Sequence, residues 1–108
     1  MPTRTIAPMR MLLGDVLRER RQGLGLTLRE VSERARISLG YISEIERGHK
    51  EPSSELLSAL AGALESPLSL VLRDVADRLA LEEGSELATV SHLVETGATA
   101  GNVRASAA

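Results

Sequence analysis

Residues 27–48 have the sequence TLREVSERARISLGYISEIERG, and this stretch decides the fold. Thr27, followed three residues later by Glu30, is the capping-box pattern of a helix start. Ser38 offers a second N-cap, and Gly48 is a natural helix stop. The pattern predicts two short helices at an angle, joined by a tight turn. Because helices this short are not stable alone, the rest of the chain is expected to form a scaffold that supports them.

Apolar residues at helical spacing give each of these helices one buried side. Val31 and Ala35, with Leu28, form the stripe of the first helix, and Ile42 and Ile45 form that of the second. The remaining residues of the second helix are left free to face a partner: Ser38, Leu39, Gly40, Tyr41, Ser43, Glu44 and Arg47.

The segment LTLREVSERARISLGYISEIERGHKEPS resembles the Cro/C1-type (xenobiotic-response-element-like) family of helix-turn-helix regulators. The run SLGYISEIERGHKEPSSELLSAL within it is similar to the actinobacterial regulators of Clp protease genes. The resemblance implies an all-α, lambda-repressor-like five-helix DNA-binding domain with a C-terminal helical extension for dimerisation. The sequence departs from the family pattern at Leu28, where the family usually has Gln, and at Arg36, where the family often has Gly. A residue other than Gly held at positive φ in that turn costs about 1 kcal/mol or more.

The amino-acid composition excludes several classes of protein and of site. The chain of 108 residues has one Tyr, no Phe or Trp and no Cys, which predicts an aliphatic core and excludes disulfides and thiolate zinc sites. No apolar run reaches membrane-spanning length, and the N-terminus lacks a signal peptide, so we expect a cytoplasmic, nucleoid-associated protein. Two separated histidines and the absence of a phosphate loop argue against an enzyme, a metal site or a cofactor.

Charge is distributed unevenly along the chain. Residues 1–50 hold ten basic and six acidic side chains, a balance of +4, and residues 51–108 hold three and nine, a balance of −6. A basic half is typical of a surface that faces a polyanion, and scattered solvated charge is the alternative interpretation.

Four segments are predicted. Residues 1–11 are expected to be a flexible arm, 12–72 the DNA-binding domain, 73–95 a helical dimerisation extension and 96–108 a disordered tail. The first helix is predicted over 12–22, and the fifth from a Ser66 cap with Pro67 in its first turn to about Glu83. Gly84 and Ser85 break that pattern, so residues 86–95 form a sixth helix or a strand, with helix favoured.

Carried over by position, the resemblance implies two sets of DNA contacts. Base edges are expected to meet Ser38, Leu39, Gly40, Ser43 and Glu44, and phosphates to meet Arg29, Arg36, Tyr41, Arg47, His49 and Lys50. Glu44 is suited to accept a hydrogen bond from cytosine N4, with a salt bridge to Arg47 or Arg36 as the alternative. For Tyr41 the alternative is a place in the core.

Surplus apolar residues near the C-terminus predict a dimer interface. The candidates are Leu70, Val75, Leu79, Leu81, Leu87, Val90 and Val94. The alternative is that this segment folds back onto its own domain.

The resemblance implies a homodimer that binds palindromic operators in double-stranded DNA and activates Clp protease and related stress genes. RNA polymerase is a further expected partner. The tail ends in Ala-Ser-Ala-Ala and resembles the tags that Clp-type proteases recognise, which makes Clp protease another. The alternative is an antitoxin, whose acidic C-terminal part wraps a basic toxin.

Overall fold

The computed structural model describes the backbone of residues 7–98 and the side chains of residues 7–84. Within that range the chain is all helical, which confirms the predicted fold class. The elements are α1 (Met9–Gly23), α2 (Leu28–Ala35), α3 (Leu39–Glu46), α4 (Ser54–Ala63) and α5 (Leu68–Ala98).

Side-chain hydrogen bonds cap the N-termini of three of these helices. Thr27 and Glu30 form a reciprocal capping box at α2, with the Thr27 Oγ1 accepting from the Glu30 N–H at 3.0 Å. The hydroxyls of Ser38 and Ser53 accept backbone N–H groups at the starts of α3 and α4. These caps satisfy amides that would otherwise lack a partner, and they set the turns on both sides of α3.

Each of the first four helices is followed by one residue in the left-handed region. These residues are Gly25, Arg36, Gly48 and Glu65, with φ of 72°, 59°, 80° and 55°. After α3 the N–H groups of Gly48 and His49 donate to the carbonyls of Ile45 and Glu44, which is a Schellman motif. The positive φ of Arg36 agrees with the turn geometry expected of the family, although this side chain carries the steric cost that glycine avoids.

Fourteen buried aliphatic residues hold the helices together. They are Leu12, Leu13, Val16, Leu17, Val31, Ile37, Ile42, Ile45, Leu60, Ala61, Ala63, Leu64, Val71 and Val75. Helix α1 packs against α3 and α5, and α4 packs against α2 and α5. Burying each large aliphatic side chain contributes about 1.5–3 kcal/mol, so the two short helices gain their stability from this shared core.

The predicted boundary of the N-terminal arm is wrong for residues 7–11. Met9, Arg10 and Met11 belong to α1. The Pro8 carbonyl accepts the first backbone N–H hydrogen bonds of this helix. Tertiary contacts order this turn, because the Arg10 Nε donates to the Gly48 carbonyl at 2.9 Å. The arm's residues 1–6 lie outside the described residues.

Helix α5 begins and ends differently from the prediction. Pro67 occupies the N-cap position instead of the first helical position, and the Ser66 hydroxyl donates to the Leu64 carbonyl. Gly84 does not break the helix, which continues to Ala98, so residues 86–95 are neither a separate helix nor a strand. One glycine in a helix costs only about 1 kcal/mol, too little to end it. The predicted boundaries at 95 and 96 therefore fall inside α5, and residues 99–108 lie outside the described residues.

In the described range no single helix is both long and apolar enough to cross a membrane. The pair Ser54–Ala63 and Leu68–Gly84 meets that length and composition only when both helices are taken together, and it is bent by 104°.

Candidate nucleic-acid interface

Helix α3 has one face in the core and the other exposed. Ile42 and Ile45 are buried, at 2% and 0% exposure, against the scaffold helices. Ser38, Leu39 and Gly40 are exposed at its start. The start of α3 is thus exposed to a partner, and the helix dipole places its positive end there. The opposite face of the helix is held in the core.

A close backbone approach sets the position of α3 against α1. A Cβ built on Gly14 would lie 2.5 Å from the Ile45 carbonyl oxygen and 2.6 Å from that of Glu46. Only a residue without a side chain allows α1 to lie this close to the end of α3. Gly48 is similar, because its Cβ would lie 2.7 Å from the Met11 side chain.

A buried ion pair locks the same helix end in place. The Arg21 guanidinium donates to both carboxylate oxygens of Glu46, at 2.8 and 3.0 Å, and to the Leu26 carbonyl at 2.9 Å. The hydrogen bond with Glu46 raises the pKa of Arg21 above its ordinary value. This fork joins α1, the loop before α2 and the end of α3, so it holds the helix pair as a unit.

This pair was not predicted from the sequence. One signal was available, because Glu46 follows Ile42 at i, i+4 and therefore lies on the inward stripe of α3. A carboxylate in that position needs a buried cation.

A second, exposed cluster covers the C-terminal half of α3. The Glu44 carboxylate accepts from Arg47 at 2.7 Å and is hydrogen-bonded to the Nδ1 of His49 at 3.0 Å. Arg47 also donates to the Ser43 hydroxyl at 2.5 Å. The hydrogen bond with His49, followed by that from Arg47, lowers the pKa of Glu44. The alternative interpretation of Glu44, a salt bridge to Arg47, is therefore present in the free protein, and the structure has no corresponding bond to Arg36.

A helix-turn-helix family model matches residues 17–71, half of the chain, and spans this whole arrangement. The chain belongs to the helix-turn-helix family. The transcriptional regulator ClgR of Mycobacterium tuberculosis (strain H37Rv) is 58% identical over 93 residues, which cover 86% of this chain and 82% of that protein.

Solved structures agree with this assignment. The clp gene regulator ClgR from Corynebacterium glutamicum superposes with a TM-score of 0.70 at 40% identity, over 86% of this chain and 97% of that one. The restriction-modification controller protein C.AhdI from Aeromonas hydrophila gives a TM-score of 0.56 at 26% identity, over 57% and 94% of the two chains. The protein is accordingly a DNA-binding transcriptional regulator and not an enzyme.

The cations predicted to meet phosphate flank the helix-turn-helix. Arg29 on α2, Arg36 in the turn and Lys50 after α3 are exposed. Within the described part of the chain, none of their side chains forms a hydrogen bond or an ion pair, so all three charges are available to a ligand. Tyr41 is half-buried and packs against the core, consistent with its alternative assignment.

The four predicted dimer residues that lie in the described range do not form one surface. Val75 is buried in the core at 4% exposure and Leu79 packs against it, so both hold α5 on the domain. Leu70 and Leu81 are exposed, at 43% and 80%. Leu72 is also exposed, at 47%. The side chains of Leu87, Val90 and Val94 lie outside the described residues.

No group of His, Asp and Glu among the described residues is arranged to hold a metal ion.

Proposed function

We propose that the protein binds specific operators in double-stranded DNA through the face of α3 that the core leaves exposed. The observation that carries the proposal is the fixed setting of this helix. Its inner face is held by the Gly14 approach and the Arg21–Glu46 fork, while Ser38, Leu39 and Gly40 at its start are exposed. A helix held this way can enter the major groove with its N-terminus forward.

We assign the proposed DNA contacts to two groups, those to base edges and those to phosphates. Ser38, Leu39, Gly40 and Ser43 lie at the end of α3 that would meet base edges. The phosphate contacts are assigned to Arg29, Arg36, Tyr41, Arg47, His49 and Lys50. Leu39 is suited to pack on a thymine methyl, and Gly40 allows DNA to approach the helix backbone, because its Cβ would have no heavy atom within 4 Å. Glu44 belongs to the same interface, and its role is considered below.

The functional unit that we propose is a homodimer. One domain reaches only a few base pairs, whereas two domains related by a two-fold axis would bind half-sites about 34 Å apart on one face of the DNA. Helix α5 supplies the interface with its exposed Leu70, Leu72 and Leu81 and with the extension that carries Leu87, Val90 and Val94. The 31 residues of α5 span about 46 Å, enough to reach beyond the domain.

The regulated genes are inferred from the relatives. The similar proteins of M. tuberculosis and C. glutamicum carry the name ClgR, and the latter is described as a clp gene regulator. We infer that this protein activates Clp protease genes by a contact with RNA polymerase, and that the Ala-Ser-Ala-Ala end makes it a substrate of Clp protease. Its place of action is the nucleoid, in the cytoplasm.

Capture of genomic DNA fragments tests the proposal. The wild type should enrich a palindrome, including sites upstream of Clp protease genes, and Arg29→Ala should weaken binding to every sequence equally. Sedimentation should show a homodimer without a small copurifying protein. Binding that is independent of sequence and lost at moderate salt would contradict the proposal, and a copurifying basic protein would favour the antitoxin alternative.

A further inference from the structure

A negative charge stands among the proposed phosphate contacts. Glu44 is on the exposed side of α3, one turn after Gly40, and its side chain is 34% exposed. A free carboxylate there would repel the DNA backbone. Both of its oxygens are engaged, one by Arg47 and one by His49, so the carboxylate joins two cationic side chains at the end of the helix.

The bond from Glu44 also decides which histidine nitrogen carries the proton. Nδ1 lies 3.0 Å from a carboxylate oxygen, an acceptor, so neutral His49 keeps its proton on Nδ1. The outer nitrogen, Nε2, is then an acceptor and cannot bind a phosphate. Protonation converts Nε2 into an N–H donor while the bond to Glu44 is kept.

Arg47 is also held by Glu44 and keeps N–H donors for a further partner. It uses N–H groups for Glu44 and for the Ser43 hydroxyl, and its guanidinium carries more donors than these two bonds require. Its side chain is 49% exposed and that of His49 is 60% exposed, so both reach solvent beside the carboxylate that joins them.

Resting on the proposed function, we propose that Glu44 is a positioning residue: it holds Arg47 and His49 as a clamp for a DNA phosphate, and the clamp closes when His49 takes up a proton. Glu44 then acts through its two neighbours and does not select a base.

The other charged groups around His49 do not interrupt its hydrogen bond with Glu44. They are Glu44 and Arg47 on α3, Arg10 of α1 (bound to the Gly48 carbonyl), and Lys50 and Glu51 in the loop. The pKa of Glu44 is lowered, so this carboxylate stays charged throughout the range in which histidine titrates. An incoming phosphate adds a second anion beside the imidazole. DNA binding should therefore favour imidazolium, and affinity should rise as the pH falls.

The chain provides a matched control, because it has two histidines, His49 and His92. The probe is the duplex that the wild type enriches from a random pool, with a scrambled duplex for comparison, at constant ionic strength. As the pH falls from about 8 to about 6, wild-type affinity should rise, by at most about tenfold per pH unit for one linked proton. His92→Gln should show the same rise, whereas His49→Gln should show none. His49→Arg should bind at the higher pH as tightly as the wild type does at the lower.

Glu44→Gln separates positioning from base recognition. The amide neither stabilises imidazolium nor fixes its tautomer, so the pH dependence should shrink while the enriched sequence stays the same. A change from cytosine to adenine at one position would place Glu44 at a base edge and overturn the inference, as would an unchanged pH dependence in His49→Gln. Thermal melts confirm that each variant is folded. If the wild type enriches no duplex, the proposed function itself fails.

Discussion

The Gly14→Ala substitution tests how closely α1 determines the position of α3. The new methyl carbon would lie 2.5 Å from one carbonyl oxygen, and α3 would have to move about 0.9 Å to reach the 3.4 Å of ordinary contact. Both obstructing atoms belong to the backbone, so no side-chain rotation relieves the overlap. Overpacking of this kind costs about 1–3 kcal/mol, and the displacement also strains the Arg21–Glu46 fork.

Alanine in place of helical glycine offsets up to about 1 kcal/mol of this cost, so we expect a net loss of up to about 2 kcal/mol in the free energy of unfolding. For a domain of this size, that corresponds to a fall of roughly 10 °C in Tm. The control is Gly62→Ala in α4, where the added Cβ meets nothing within 4 Å and should raise stability. Urea denaturation with a constant m-value measures both, and DNA titration should show weaker binding for Gly14→Ala. Equal stability of the two variants would refute the argument.

Four further substitutions separate stability from binding. Gly40→Ala should raise the free energy of unfolding by about 1 kcal/mol and weaken DNA binding, because the added methyl occupies the space left for DNA; unchanged affinity would show that DNA does not approach there. Arg36→Gly and Glu65→Gly should each gain about 1 kcal/mol by relieving a left-handed backbone, but only Arg36→Gly should reduce the salt dependence of binding, by about one phosphate; equal effects of the two on binding would remove Arg36 from the interface. Arg21→Ala leaves the buried carboxylate of Glu46 unpaired and should cost about 3 kcal/mol in a denaturation experiment, and a loss below about 1 kcal/mol would mean that water replaces the guanidinium.

Features set by neighbours in the sequence were predictable. The Thr27–Glu30 box and the Ser38 cap depend on residues three apart, and the positive φ of Arg36 follows from the turn that the family resemblance implies. The cations Arg29 and Lys50 were predicted from their positions in the family pattern, and the structure shows both exposed.

Features set by tertiary contact were not predictable. Arg21 and Glu46 are 25 residues apart, and only the packing of α1 on α3 joins them. On α5, both Val75 and Leu70 fit an apolar spacing, but the packing of α5 against α1 and α4 leaves Val75 buried and Leu70 exposed. The predicted break at Gly84 is wrong because the local penalty of one glycine is small against the continuation of a long helix.

The most direct test of the central claim is an NMR titration of the backbone amides with the duplex that the wild type enriches. The account predicts that shift changes concentrate in the α2–turn–α3 unit and the following loop, residues 28–50, with the largest near Gly40 and His49. Changes confined to α4 and α5, with α3 unaffected, would contradict it.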